Sequence, residues 1–205
     1  MLSREVVLNI VFDLAGVVVR YDQAALIAEV FPDPTMHATV RADVIGHVDW
    51  LALDRGTLSQ PDAIVRAAHR TGLSATDIAQ LFAQMSAAWV PIAGTVDLLQ
   101  RLHAKGHPLF CLSNMHVASI AYLEQTYTFW DVFTGVVISC RVQLIKPEPA
   151  IYAYLLERYG LEASQTVFID DTVINLEAAA QWGIQTIRFE NPVQCARQLQ
   201  ALGCI

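Results

Sequence analysis

Short apolar runs occur along the chain at residues 6–12, 108–112, 136–139, 166–169 and 185–189. Each is bounded by turn-forming residues and is too short for a typical helix, so each predicts a strand. Between them, apolar positions recur at helical spacing over residues 96–105, 116–125, 149–159, 173–182 and 192–202. Strand–helix alternation of this kind predicts an α/β fold: a Rossmann-like, doubly wound parallel sheet with helices on both faces.

One segment breaks the alternation. From about residue 23 to 89 the periodicity is helical and no strand pattern stands out. Helix stops and starts punctuate it. In "DRGTLSQPDAIV", Gly56 reads as a C-cap, Ser59 as the next N-cap, and Asp62 follows three residues on, as in a capping box. "RTGLSATDIAQLF" repeats the pattern with Gly72, Ser74 and Asp77. The expectation is an α/β core of residues 1–20 and 91–205, with an all-helical cap of residues 21–90 inserted after the first strand. Ligands of doubly wound sheets bind at the carboxyl ends of the strands, so an insert leaving there would lie over the site as a lid.

Composition narrows the partners. Of 205 residues, 54% are apolar, enough for a large core with some left for a homodimer interface. The net charge of −7 argues against nucleic acid, which calls for a basic patch. Any anion must then be held by a local site. The N-terminal "MLSREVVLNIVFDLAG" lacks the basic cluster of a signal peptide, and its apolar run carries Asp13. No stretch of 18 uncharged apolar residues exists, so no membrane span is expected. Cys111, Cys140, Cys195 and Cys204 form no CxxC pair, and Cys111 and Cys140 fall in apparent strands. They read as free thiols in a reducing cytoplasm.

The chemistry collects at the strand tips. The first run ends in Asp13, the second in Ser113 and Asn114. "RVQLIKPEP", after the third, supplies Lys146, and the fourth ends in Asp170 and Asp171. A parallel sheet brings these tips to one crevice. Three neighbouring carboxylates repel unless a cation lies between them, and magnesium prefers oxygen ligands. A hydroxyl, backbone amides and a lysine are what phosphoryl oxygens need around them. An aspartate placed in line can attack phosphorus.

These motifs resemble those of the haloacid dehalogenase-like hydrolase superfamily, in its helical-cap branch. "VFDLAG", "CLSN", the lysine of "KPEPAIY" and the double acid of "FIDDTVINLEAA" occur in the family's order from Val11 to Ala179. Within it the chain is most similar to sugar-phosphate phosphatases and the phosphatase domain of soluble epoxide hydrolases. The resemblance implies a magnesium-dependent phosphatase acting on a small phosphorylated metabolite. Asp13 would be the nucleophile and a metal ligand, and Ala15 would lend its backbone carbonyl to the metal. Ser113 and the backbone of Asn114 would hold phosphate oxygens. Lys146 would neutralise phosphate charge, Asp171 would bind the metal, Asp170 would support it from the first or second shell, and Asn175 would orient the acid.

The family's usual second acid, two residues after the nucleophile, is replaced by Ala15. That acid protonates the leaving alcohol and later activates water, help worth about 10²–10⁴-fold. Substitute donors are His116 and, from the cap, His47, Asp49 or Asp54. Phosphonatase-like chemistry needs a cap lysine, and Lys105 and Lys146 are the only lysines, both outside the cap. A haloacid dehalogenase would not keep the double acid. A non-catalytic binder of a phosphorylated ligand or a protein is the remaining alternative. "HVDWLALDRGTLS" places Trp50, Asp54 and Arg55 near a turn that could face the crevice.

Overall fold

The computed structural model describes residues 7–205. The first position of the strand expected from residue 6, and the start of the N-terminal segment weighed as a signal peptide, lie outside the described residues.

Among the described residues, seven strands and their helices follow one another as β1 (Asn9–Phe12), β2 (Val19–Arg20), α1 (Gln23–Val30), α2 (His37–Thr39), α3 (Val48–Arg55), α4 (Gln60–Thr71), α5 (Ala75–Ala87), β3 (Val90–Pro91), α6 (Ala93–Ala104), β4 (Leu109–Ser113), α7 (Val117–Thr126), β5 (Phe133–Ile138), α8 (Ser139–Val142), α9 (Pro149–Tyr159), β6 (Thr166–Asp170), α10 (Val173–Ala180), β7 (Gln185–Arg188) and α11 (Pro192–Ala201). Five strands form a parallel sheet in the order β5-β4-β1-β6-β7. The chain winds outward from β1 in both directions, which makes the carboxyl end of β1 the switch point where a crevice opens.

Side-chain alternation along β1 splits the core into two layers. Ile10 and Phe12 join a cluster with Leu98, Leu99 and Leu102 of α6 and Leu199 of α11. Val11 faces the other way, into a cluster with Ile151, Tyr152 and Leu155 of α9 and Leu176 of α10. The three central strands, β4, β1 and β6, are buried on both faces, which explains why they read as apolar runs, while the edge strand β7 keeps only Ile187 buried.

The helices from α1 to α5 lie between β1 and β4 in sequence, and they bury a core of their own. Ile27, Val40, Leu53, Ile78, Leu81, Phe82 and Met85 form it. The caps read from sequence hold. Gly56 and Gly72 end α3 and α4 at φ of +80° and +71°, and the Ser59 and Ser74 hydroxyls accept from the amides of Asp62 and Asp77. Sequence periodicity missed β2 and β3. This two-residue antiparallel pair joins the chain entering the helical segment to the chain leaving it, and two residues carry no alternation to detect. The strand expected at 136–139 begins earlier, at Phe133, and stops at Ile138. Cys140 therefore lies in the short helix α8, not in a strand, while Cys111 is in β4. All four cysteines are free. Among the described residues no helix is long and apolar enough to cross a membrane.

Candidate active site

The end of β1 is built to present a carboxylate. The Asp13 amide still donates to the Ile169 carbonyl of β6 at 2.9 Å, as the ladder requires. The chain then turns sharply. Leu14, wholly buried, accepts from the amides of Val17, Val18 and Val19, while its own amide donates to Asp13 Oδ1 at 2.7 Å. Gly16 has φ of +80°, and a Cβ there would overlap the Asp171 carboxylate. Only glycine lets the first-strand turn and the fourth-strand acid approach so closely.

Lys146 is 3% exposed, and its ammonium lies between two buried acids, 2.9 Å from Asp13 Oδ1 and 2.7 Å from Asp170 Oδ2. Asn114 fixes the loop that carries it. The Asn114 side chain donates to the Lys146 carbonyl at 2.9 Å and accepts from the Lys146 amide at 2.8 Å. Asp170, last residue of β6 and fully buried, also accepts from the Thr172 amide at 2.8 Å and from Asn175 Nδ2 at 3.1 and 3.2 Å. Asn175 thus orients Asp170, where the sequence left it beside Asp171; it is buried, and Tyr152 donates to its carbonyl at 2.9 Å.

Oxygens of Asp13, Asp170 and Asp171 lie within 4.8 Å of one another. Burial, reinforced by Asp170, pushes the Asp13 carboxyl up to about 7, and Lys146 offsets this only in part. Burial would strip the Lys146 proton, but its two carboxylate neighbours outweigh that and raise its pKa. Asp171 is raised by burial and then by Asp170. One ammonium serves three carboxylates, so the cluster carries excess negative charge. An all-oxygen set of this kind fits a hard divalent cation. The Ser113 hydroxyl, fully buried at the tip of β4, leans towards Asp13 enough to lower its pKa slightly. It makes no hydrogen bond of normal geometry. A buried unpartnered hydroxyl beside a carboxylate can take a ligand oxygen as its partner.

Asp13, Ala15, Asn114, Lys146 and Asp171 line one cavity of ≈ 390 Å³ with Arg20, Tyr21, Trp50, Asp54, Met85, Trp89 and His116. The structure separates the four substitute donors weighed above. His47 caps α3 and sits beside Asp49, whose burial is outweighed by hydrogen bonds from Arg70 and Arg66 that lower its pKa. Neither lines the cavity. Arg55 is also elsewhere: it forms a two-point pair with Glu148. His116 and Asp54 do line it. His116 Nε2 lies 3.0 Å from the Ser119 hydroxyl, which accepts from the Trp89 indole at 3.1 Å. Burial pushes His116 down to about 4, so it is neutral at pH 7.

Sequence reasoning missed Tyr21, Trp89, Ser119 and Ser139. Tyr21 and Trp89 flank the β2–β3 pair and stack edge-to-face at 4.4 Å. Their signal was the β2–β3 pair itself, which the periodicity did not register. Ser139 follows β5 as Ser113 ends β4, a parallel that the strand-tip argument could have used.

A doubly wound sheet, a helical insert over its switch point and four strand tips loaded with acids and a lysine define a hydrolase of the phosphoryl-transfer type of architecture. The chain belongs to the haloacid dehalogenase-like hydrolases, whose family model matches residues 7–183. It is 24% identical to the sesquiterpene phosphatase AstK of Aspergillus oryzae, over 95% of this chain and 96% of that one. It is 38% identical to mouse bifunctional epoxide hydrolase 2 over 68 residues, 33% of this chain and 12% of that longer protein. A HAD family enzyme from Bacteroides thetaiotaomicron, solved with magnesium and inorganic phosphate, superposes with a TM-score of 0.72 at 23% identity, covering 90% of this chain and 95% of the other. That likeness establishes the fold.

Proposed function

We propose that the protein is a magnesium-dependent phosphatase of small phosphomonoesters. The observation that carries this reading is the Asp13–Lys146–Asp170 cluster, with the unpartnered Ser113 hydroxyl beside it. Asp13 attacks phosphorus, forming an aspartyl phosphate that water then hydrolyses. Ser113 and the backbone of Asn114 hold phosphoryl oxygens. Lys146 favours the ionised form of Asp13 and balances the charge of the phosphate. Asp13, Asp171 and the Ala15 carbonyl would hold the metal, and Asp170, through Lys146 and Asn175, would support them. Magnesium there would neutralise the surplus carboxylate charge and polarise the phosphoryl group. The carboxylate cluster also disfavours haloacid dehalogenation, because three acids facing one ammonium repel an anionic substrate that comes without a cation.

The leaving group meets walls of Tyr21, Trp50, Met85 and Trp89. These suit a stacked or apolar moiety. The substrate panel therefore pairs sugar phosphates, expected from sequence, with sesquiterpene phosphates, after the name of AstK. Phosphate release from this panel, with magnesium and with chelator, is the test. Release that needs magnesium and vanishes in Asp13→Asn is expected. Halide release from 2-haloacids, or no phosphate release at all, would overturn the reading.

A further inference from the structure

Three consecutive residues at the end of α3 fasten the helical segment to the sheet. The Asp54 carbonyl accepts from the Ser139 hydroxyl at 2.5 Å, and that hydroxyl accepts from the Met115 amide at 2.9 Å. Arg55 forms its two-point pair with Glu148, two residues beyond Lys146. Gly56, at φ of +80°, packs so closely that a Cβ would lie 2.5 Å from the Cys140 carbonyl oxygen. The backbone around Asp54 is therefore tied to the loop that follows β4, to α8 directly after β5 and to the loop that carries Lys146. Asp54 lines the cavity shared by Asp13 and Ala15. It is held there by core contacts, not carried on a loose lid.

Among the described residues, no cation pairs with this carboxyl. The groups that face it are Tyr21 ahead of α1, Trp50 one turn back on α3, the His116 amide at the start of α7, and Cys140 of α8. None is a cation: Arg55 is turned to Glu148, and the His116 ring is neutral. Burial outweighs the hydrogen-bonding help of the His116 amide and Trp50, and pushes Asp54 up to about 7. An acid with that pKa is matched to proton transfer near neutral pH. The other ionisable groups around the cavity do not compete. Arg20 carries a guanidinium, which offers donors and no acceptor. Burial pushes Tyr21 up to about 12. Lys146 is held between two acids, and Asp171 belongs to the cation-type cluster.

We propose that Asp54, reaching in from the helical insert, is the proton donor and acceptor that position 15 lacks. The proposal rests on the phosphatase reading. In the first step an Asp13 oxygen bonds to phosphorus, the ester P–O bond breaks, and its electron pair goes to the leaving oxygen. Asp54 gives its proton to that oxygen, so the product leaves as the alcohol and Asp54 becomes a carboxylate. In the second step water attacks phosphorus and the Asp13–phosphorus bond breaks, restoring the Asp13 carboxylate. Asp54 takes the water proton and returns to its starting form.

The test is Asp54→Asn, compared with wild type in single turnovers of an alkyl phosphate and of p-nitrophenyl phosphate. An alkoxide leaves poorly without a proton, whereas p-nitrophenolate leaves readily. Alcohol release from the alkyl ester should fall by about 10²-fold or more, while nitrophenol release falls far less. With the aryl ester, phosphorylated Asp13 should accumulate, because its hydrolysis has lost the base. Adding Ala15→Asp to Asp54→Asn should recover much of the alkyl rate, which a merely structural defect would not allow. Asp54→Glu should retain part of it. Equal losses for both esters, or no loss for either, would overturn the assignment of Asp54 while leaving an active phosphatase. A wild type inactive on every phosphoester would instead sink the phosphatase reading, and this assignment with it.

Discussion

Asn114 grips Lys146 by its backbone, donating to its carbonyl at 2.9 Å and accepting from its amide at 2.8 Å. The tip of β4 thereby sets where the ammonium stands, though the two residues are 32 positions apart in sequence. Asn114→Ala removes both bonds and leaves a partly buried amide and carbonyl unpaired. The expected cost is about 1–3 kcal/mol of stability, with a fall in kcat because Lys146 is no longer held against Asp13. Thermal unfolding and steady-state turnover check both. Wild-type kcat in a destabilised Asn114→Ala would show that the grip serves the fold alone.

Lys146→Met should be worse, and for a different reason. The ammonium is the shared partner of Asp13 and Asp170, at 2.9 and 2.7 Å. Methionine fills the volume and leaves two buried carboxylates facing each other. Breaking a buried ion pair from one side costs about 3–5 kcal/mol, which in a chain of this size lowers Tm by on the order of 10 °C. Unfolding scans in chelator at pH 7 measure it. A Tm within about 2 °C of wild type would mean that the acids are already neutral and that Lys146 is not holding them ionised.

Gly16→Ala tests the approach of the first-strand turn to Asp171. The new methyl meets both a left-handed backbone and the Asp171 carboxylate. The turn or the acid must move, and either change disturbs the oxygen cluster. The expected result is an increase of about 10–100-fold in the magnesium needed for half-maximal phosphate release, shared with Asp171→Asn and relieved by high magnesium. Lys146→Met should not be relieved in this way. If magnesium restores Lys146→Met and leaves Asp171→Asn inactive, the roles given to these residues are exchanged.

The fold was legible because burial on both faces turns the central strands β1, β4 and β6 into apolar runs ended by a polar tip, and because Gly56, Ser59, Gly72 and Ser74 carry their helix signals locally. Asp13, Ser113, Lys146, Asp170 and Asp171 were legible for the same reason: each is the first polar group after such a run or in the loop that follows it. What was not legible is pairwise. Nothing local in the sequence says that Asn175 turns to Asp170, that Asn114 holds the Lys146 backbone, or that Ser139 ties Asp54 to Met115. Four donors were equivalent on paper. Packing against Arg66 and Arg70 removed Asp49, the helix cap removed His47, and burial neutralised His116.

Asp54 should also leave a mark on stability that does not depend on any substrate. Its carboxyl is raised from 3.8 to about 7 by burial, so the folded state holds a proton that the unfolded state releases. The stability linked to that proton is fully present below pH 4 and is lost as pH rises through about 7. Asp13, pushed up to about 7 as well, contributes a slope of the same sign. Asp54→Asn cannot ionise, and so removes only its own share. Urea midpoints in chelator should therefore fall less between pH 5 and pH 8 for Asp54→Asn than for wild type, and the variant should gain most at pH 8. Parallel pH profiles for the two proteins would mean that Asp54 ionises as an ordinary solvated carboxylate, and would remove the electrostatic ground for its use as an acid at neutral pH.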